Sequence, residues 1–489
     1  MLFNSIQFFI FFPVVAALFF LLPQKYRWFL LLCASAVFYM AFIPKYILIL
    51  LTLAVIDYWA ARFIAHSEGT RRTVYLWVSI FSTCIMLFVF KYFNFFVFNV
   101  NGLCRFLNWN YSMEMMALIL PIGLSFHTFQ SLSYVIEVYR GKQAVERHFG
   151  LYFLYVMFFP QLAAGPIERP GNLLHQFKEE HHFDLPRAVD GLKLMLWGLF
   201  KKVVIADGLA GAITIVYGNP GGFDGFALAM ATTFFAFQIY CDFSGYSDIA
   251  IGAAQVLGFR LMTNFNRPYA SQSVLEYWKR WHISLSSWFR DYLYIPLGGN
   301  RVSRFRWQLN IMITFVISGI WHGANWTYVA WGALNALYLI VYNLTTALRQ
   351  KFSDWCGLSG SPGLLHFCRV SSTFFLIWIG GIFFRALSIP DTLLILKNIF
   401  SPAKWRDITG LAEVKASLMG MGMEWSQFLL CACFIVFMEL VQYNQRDRDL
   451  RHMFAEKPLW FQWAFFYSLV FFIAIFWQAQ QTPFVYFQF

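Results

Sequence analysis

Residues 310–342 read NIMITFVISGIWHGANWTYVAWGALNALYLIVY. Two apolar runs flank a short interruption, and His322 stands where a lipid-facing helix would carry Leu or Val. Runs of about 20 apolar residues indicate membrane helices, because only helices and closed barrels satisfy their own backbone in hydrocarbon. An ionisable side chain inside such a run is costly. It marks either a polar contact between helices or a functional cavity.

Similar runs recur throughout the 489 residues, which are 59% hydrophobic and only 13% charged. A soluble chain would carry about a quarter charged residues. The aromatic share is 21%, with 59 Phe and 19 Trp, which suits interfacial belts better than one water-soluble core. The expected class is an all-α polytopic membrane protein. Candidate spans fall at 3–22, 28–43, 46–65, 74–98, 115–138, 149–164, 192–217, 226–258, 308–345, 371–389, 425–443 and 458–478. The stretches 226–258 and 308–345 exceed one simple crossing, so each is expected to be two segments or a kinked or re-entrant pair. The first run ends in PQKYR, not in small residues, and is expected to be a retained span.

A net charge of +12 would suggest nucleic acid as the partner of a soluble protein. Here it fits basic cytoplasmic loops better, so no nucleic acid is expected. Lys25 and Arg27 follow the first run, Arg62, Arg71 and Arg72 the third, and Arg140, Lys142 and Arg147 the fifth. That alternation places the N-terminus outside the cytoplasm. The eight cysteines are scattered without metal-binding spacing, so neither a disulfide framework nor a zinc site is expected. Residues 165–190 are rich in Pro, Gly and charge and read as a loop, within which His181 and His182 are expected to be solvated. Residues 259–307 mix apolar, aromatic and basic residues, as helices at an interface do.

Several polar residues stand out. Asn325 follows His322 by three positions and would share its face on an unbroken helix, while Gly319 and Gly323 permit close approach of a ligand or another backbone. His282 lies in YWKRWHISLSSWFRDYLY, where helical spacing would align it with Trp278 and Ser286. The plainer reading there is an interfacial helix with aromatic anchors and a snorkelling Arg280. In CDFSGYSD, Ser244 and Asp248 share a helix face and Asp242 does not. These acids could orient a histidine, bind an ion or pair with Arg267 or Arg290. His127, Glu137, Glu168 and Arg169 are further polar residues in or beside apolar runs. There is no GxSxG elbow, HExxH, P-loop or GxGxxG.

YWKRWHISLSSWFRDYLYIPLGGNR (277–301) followed by GIWHGANWTYVAWGALNAL (319–337) resembles the membrane-bound O-acyltransferase family, most of all its bacterial alginate O-acetyltransferase branch. FFPQLAAGPIERP, CDFSGYSDIAIGAAQVLGF, NFNRPY and the terminal PFVYFQF carry the same resemblance, which covers essentially the whole chain. It implies one membrane-embedded O-acyltransferase domain over 1–489, with about 11–13 transmembrane or re-entrant helices around a central funnel or tunnel. It implies catalytic roles for His322 and His282. Asn325, Asp242, Asp248, Arg280 and Ser286 are candidates for support, and the basic 260–306 loop for the phosphates of coenzyme A.

The implied reaction takes acetyl from cytoplasmic acetyl-CoA to a hydroxyl of an extracytoplasmic polysaccharide, such as an alginate-like polymer or peptidoglycan. A periplasmic SGNH-type acetyltransferase is the implied partner and the bacterial inner membrane the implied location. No bound cofactor and no metal are expected. Three other readings stay open: D-alanyl transfer from a carrier protein to teichoic acid, a transporter for a polysaccharide precursor, and a structural scaffold that only recruits a soluble transferase.

Overall fold

The computed structural model describes residues 1–445, 453, 457–477 and 484–485. Among these, every regular element is helical. Among the described residues, six helices are long and apolar enough to cross a membrane: Pro44–Ala65, Gly69–Phe106, Gly225–Leu257, Pro362–Arg385, Trp425–Gln445 and Leu459–Phe476. Ile6–Leu21 is a shorter apolar helix.

The chain forms two compact units. Among the described residues, one comprises residues 1–195 and 246–262, the other residues 196–245 and those from 263 to 485. The first unit holds a polar seam between helices Ile47–Ala65, Gly69–Leu87 and Leu124–Tyr139. Asp57 accepts hydrogen bonds there from Ser79 (2.5 Å) and Ser131. Helix Leu124–Tyr139 is shorter than the run at 115–138 suggested and is buried along most of its length. Of the run at 149–164, only Phe149–Met157 is helical. The Glu168 carboxylate accepts from the backbone N–H of Met262 and from Asn172, and burial pushes its pKa up to about 7.

His181 corrects its expected solvation. It is buried, bonds Gln176 O through Nε2 at 2.8 Å, and its ring lies 4.4 Å from that of Phe259. Charged neighbours in the sequence do not determine exposure when the chain folds back over the side chain.

One further expectation changes and another holds. Residues 226–258 form one helix, Gly225–Leu257, of 33 residues. At 1.5 Å per residue it is about 50 Å long, more than a bilayer core requires. Its residues 225–245 belong to the second unit and 246–257 to the first. Residues 308–345 do divide, into helices Arg304–His322 and Trp326–Leu344.

Local chemistry places that division. Ser303 caps the first helix by accepting from Arg306 N. Gly323 is extended and stops it, and Asn325 caps the second by accepting from Thr327 N at 3.1 Å. The two helices fold back as a tight hairpin. A Cβ on Gly319 would strike the Tyr328 carbonyl, and one on Gly332 the Phe315 carbonyl. The glycines are therefore what let the backbones meet.

Candidate active site

His322 is the last residue of its helix and is 5% exposed. Aromatic rings surround it. Trp321 lies 4.9 Å away, Trp331 5.1 Å and Phe384 5.2 Å, all three edge-on. Trp331 comes from the returning arm of the hairpin and Phe384 from helix Pro362–Arg385. Gly323 leaves room for the Tyr328 ring, which packs 5.1 Å from Phe384. Three helices thus build a water-poor wall around one imidazole.

His282 lies in the same unit and is 1% exposed. It does not lie within a helix. Helix Val274–Arg280 ends before it and helix Ile283–Phe289 starts after it. Its own backbone is left-handed, at φ 44° and ψ 54°. Its ring meets Phe243 edge-on at 4.6 Å and Trp321 at 6.3 Å. Trp321 therefore contacts both histidines. In sequence His282 falls outside the helices long and apolar enough to cross a membrane, between Gly225–Leu257 and Pro362–Arg385. Burial, and to a lesser degree the neighbouring His322, hold its imidazole well below the usual histidine range.

The other candidate residues are placed as follows. Asn325 shares no helix with His322, because the helix breaks between them. Its side chain is used in the cap and in a 2.9 Å bond from Nδ2 to Leu387 O. Ser286 donates to Trp281 O at 3.2 Å, one residue from His282. Arg280 pairs with Glu276 at 2.7 Å on its own helix turn. Asp248 belongs to the first unit and the two histidines to the second. Asp242 is 1% exposed and pairs with Lys202 at 2.7 Å, not with an arginine. Its second oxygen accepts from Val485 N at 2.7 Å. Of PFVYFQF, only Phe484 and Val485 are among the described residues.

Lys201 and Lys202 escaped the sequence reading, though two adjacent cations within the apolar run 192–217 were a signal. They lie in a π-helical turn, Phe200–Ala206. Lys201 donates to Ser244 at 2.8 Å, and Lys202 bridges Asp207 (2.8 Å) and Asp242. The wider π turn lets consecutive lysines both point inward. Arg301, Arg304 and Arg306 of the 260–306 segment are exposed, as is Arg290, which pairs with Asp291 at 2.8 Å. No three His, Cys, Asp or Glu among the described residues are placed to hold a metal.

This arrangement can accept and return a proton. It offers two imidazoles, one of them held neutral, in an aromatic enclosure that excludes bulk water. Residues 146–356 match the model of the membrane-bound O-acyltransferase family. The chain is 37% identical to the "Probable alginate O-acetylase AlgI" of Pseudomonas aeruginosa, over 91% of this chain and 83% of that protein. It is 33% identical to the "Peptidoglycan O-acetyltransferase" of Helicobacter pylori, over 76% of this chain and 73% of that one. With the "Teichoic acid D-alanyltransferase" of Bacillus subtilis it shares 28% identity, over 48% of this chain and 62% of that protein.

Proposed function

Because the chain belongs to the membrane-bound O-acyltransferase family, and is therefore a multi-pass membrane enzyme that transfers acyl groups to oxygen, we propose that it moves acetyl from acetyl-CoA to a hydroxyl on the far side of the bacterial inner membrane. Family membership sets aside the transporter reading. The greater coverage of the alginate and peptidoglycan O-acetylating relatives favours acetyl over D-alanyl transfer and a polysaccharide as the final acceptor. An extracytoplasmic SGNH-type acetyltransferase is the proposed partner that hands acetyl to the polymer.

The observation that carries this reading is the burial of His322 and His282 around one shared tryptophan, Trp321. A thioester carbonyl is already electrophilic, but a hydroxyl is a poor nucleophile until a base takes its proton. In the proposed step His322 takes that proton, the hydroxyl oxygen bonds to the acetyl carbon, and the carbon–sulfur bond breaks. The imidazolium then protonates the departing thiolate, so the products are an ester and free coenzyme A. A positioned general base contributes about 10² to 10⁴ in rate. His282, neutral and close by, suits the role of hydrogen-bond donor to the developing oxyanion. The aromatic wall keeps water from hydrolysing the thioester. The exposed arginines of 290–306 suit the phosphates of coenzyme A.

The donor is tested by offering membranes acetyl-labelled acetyl-CoA or a D-alanyl-loaded carrier protein, with and without the extracytoplasmic partner. Alkali-labile label from acetyl-CoA alone is the expected result. Label from the D-alanyl carrier alone would replace the proposed donor.

A further inference from the structure

We infer that Asn264 is a positioning residue that fixes the direction of the His282 side chain. This rests on reading the two histidines as the reacting pair.

A left-handed backbone is unfavourable for a residue bearing a Cβ, so surrounding contacts must hold His282 at φ 44°. Burial in an apolar shell does not require that conformation. Hydrogen bonds on both sides of the residue account for it. On the C-terminal side, Asn264 O accepts from Ile283 N at 2.9 Å. Asn264 Oδ1 accepts from Ser284 N at 3.3 Å and from Ser284 Oγ at 2.9 Å. On the N-terminal side, Asn266 N donates to Arg280 O at 2.9 Å. The tripeptide NFN at 264–266 thus staples residue 280 and residues 283–284, leaving His282 at the apex of the turn between them. Asn264 and Ser284 are both fully buried, so water does not compete for these bonds.

The middle residue of the tripeptide completes the device. Phe265 lies 5.0 Å from Phe243 and 5.1 Å from Trp281. Phe243 is the ring that meets His282 edge-on. One short segment therefore sets both the backbone turn and the wall against which the imidazole rests. Asparagine meets the requirement at 264. Its amide oxygen serves two donors without burying a charge, and its length keeps that oxygen within reach of Ser284. A glutamine would carry the oxygen one methylene too far.

The test is a double-mutant cycle in membranes holding the full chain and its partner: wild type, Asn264→Ala, His282→Ala and the double variant. A misplacement of about 1 Å in a reacting group costs on the order of 100-fold in rate. Asn264→Ala is expected to lower kcat to that extent with KM for acetyl-CoA unchanged, and to cause no further loss in the His282→Ala background. Asn264→Asp, which keeps both acceptors, is expected to recover part of the activity. The same fold-loss in both backgrounds would overturn the inference, as would full activity of Asn264→Ala.

A second readout needs no turnover. Diethyl pyrocarbonate modification, followed by mass spectrometry, reports each histidine separately. In Asn264→Ala, His282 is expected to react several-fold faster while exposed His182 keeps its rate. An unchanged His282 rate would also overturn the inference. Absence of ester from acetyl-CoA with wild type would remove the proposed donor, and the modification rates would still decide the role of Asn264.

Discussion

Gly319→Ala perturbs the hairpin at its tightest point. The added Cβ would meet the carbonyl oxygen and carbon of Tyr328 and lie 3.4 Å from Gly332 Cα. All three are backbone atoms of the facing helix, so no side-chain rotation relieves the clash. The helices must separate by about an ångström, and overpacking of this kind costs about 1–3 kcal/mol. Alanine offsets part of that, since replacing a helical glycine contributes about 1 kcal/mol. The net expectation is a loss of up to about 2 kcal/mol in stability. Function should suffer more, because His322 lies three residues further along the same helix. A shift of that size at a reacting group lowers turnover on the order of 100-fold. The control is Gly211→Ala, where the new carbon meets nothing within 4 Å. That variant should gain stability, by up to about 1 kcal/mol, and keep its activity. Thermal unfolding in detergent and ester formation in membranes measure both. If Gly319→Ala behaved like Gly211→Ala, close backbone contact would not be what holds His322 in place.

Three further outcomes follow from the same geometry. Lys202→Met leaves Asp207 and Asp242 without their shared cation and should cost about 3–5 kcal/mol, more than Asp207→Asn, as read by thermal unfolding. Asn325→Ala removes a helix cap and the bond to Leu387, so about 0.5–2 kcal/mol of stability should be lost, with activity falling far less than on loss of His322. His282 is depressed below 6.5 in the folded state, so the unfolded chain binds the extra proton first on acidification. Its contribution to stability is present above pH 6.5 and lost as pH falls toward the folded value. The melting temperature of wild type should therefore drop more between pH 7 and pH 5 than that of His282→Asn.

The membrane class was legible because apolar runs report directly on the solvent a helix meets. His322 stood out because an ionisable group is at odds with the apolar run around it, whereas His282 lay in a mixed basic and aromatic stretch and was singled out only by the family resemblance. The break after His322 carried a local signal too, a glycine followed two residues later by a good capping residue. What stayed hidden depends on contacts distant in sequence. Asn264 touches residues 283 and 284, and no periodicity links those positions. Helical spacing aligned Trp278, His282 and Ser286 on one face, yet the chain turns left-handed at His282 and ends that helix. Asp242 was visible as a buried acid, but its partner was not, because Lys202 lies 40 positions away in another helix. His181 looked solvated from its charged neighbours and is covered by Phe259.

The central claim is that the imidazole of His322 carries the acyl-transfer chemistry. Membranes containing wild type or His322→Ala, matched for folded protein and supplied with the extracytoplasmic partner, are given acetyl-CoA labelled on the acetyl group. Label in alkali-labile ester with wild type and none with His322→Ala is the expected result. Equal label from both would contradict the claim and make His322 a structural residue of the hairpin.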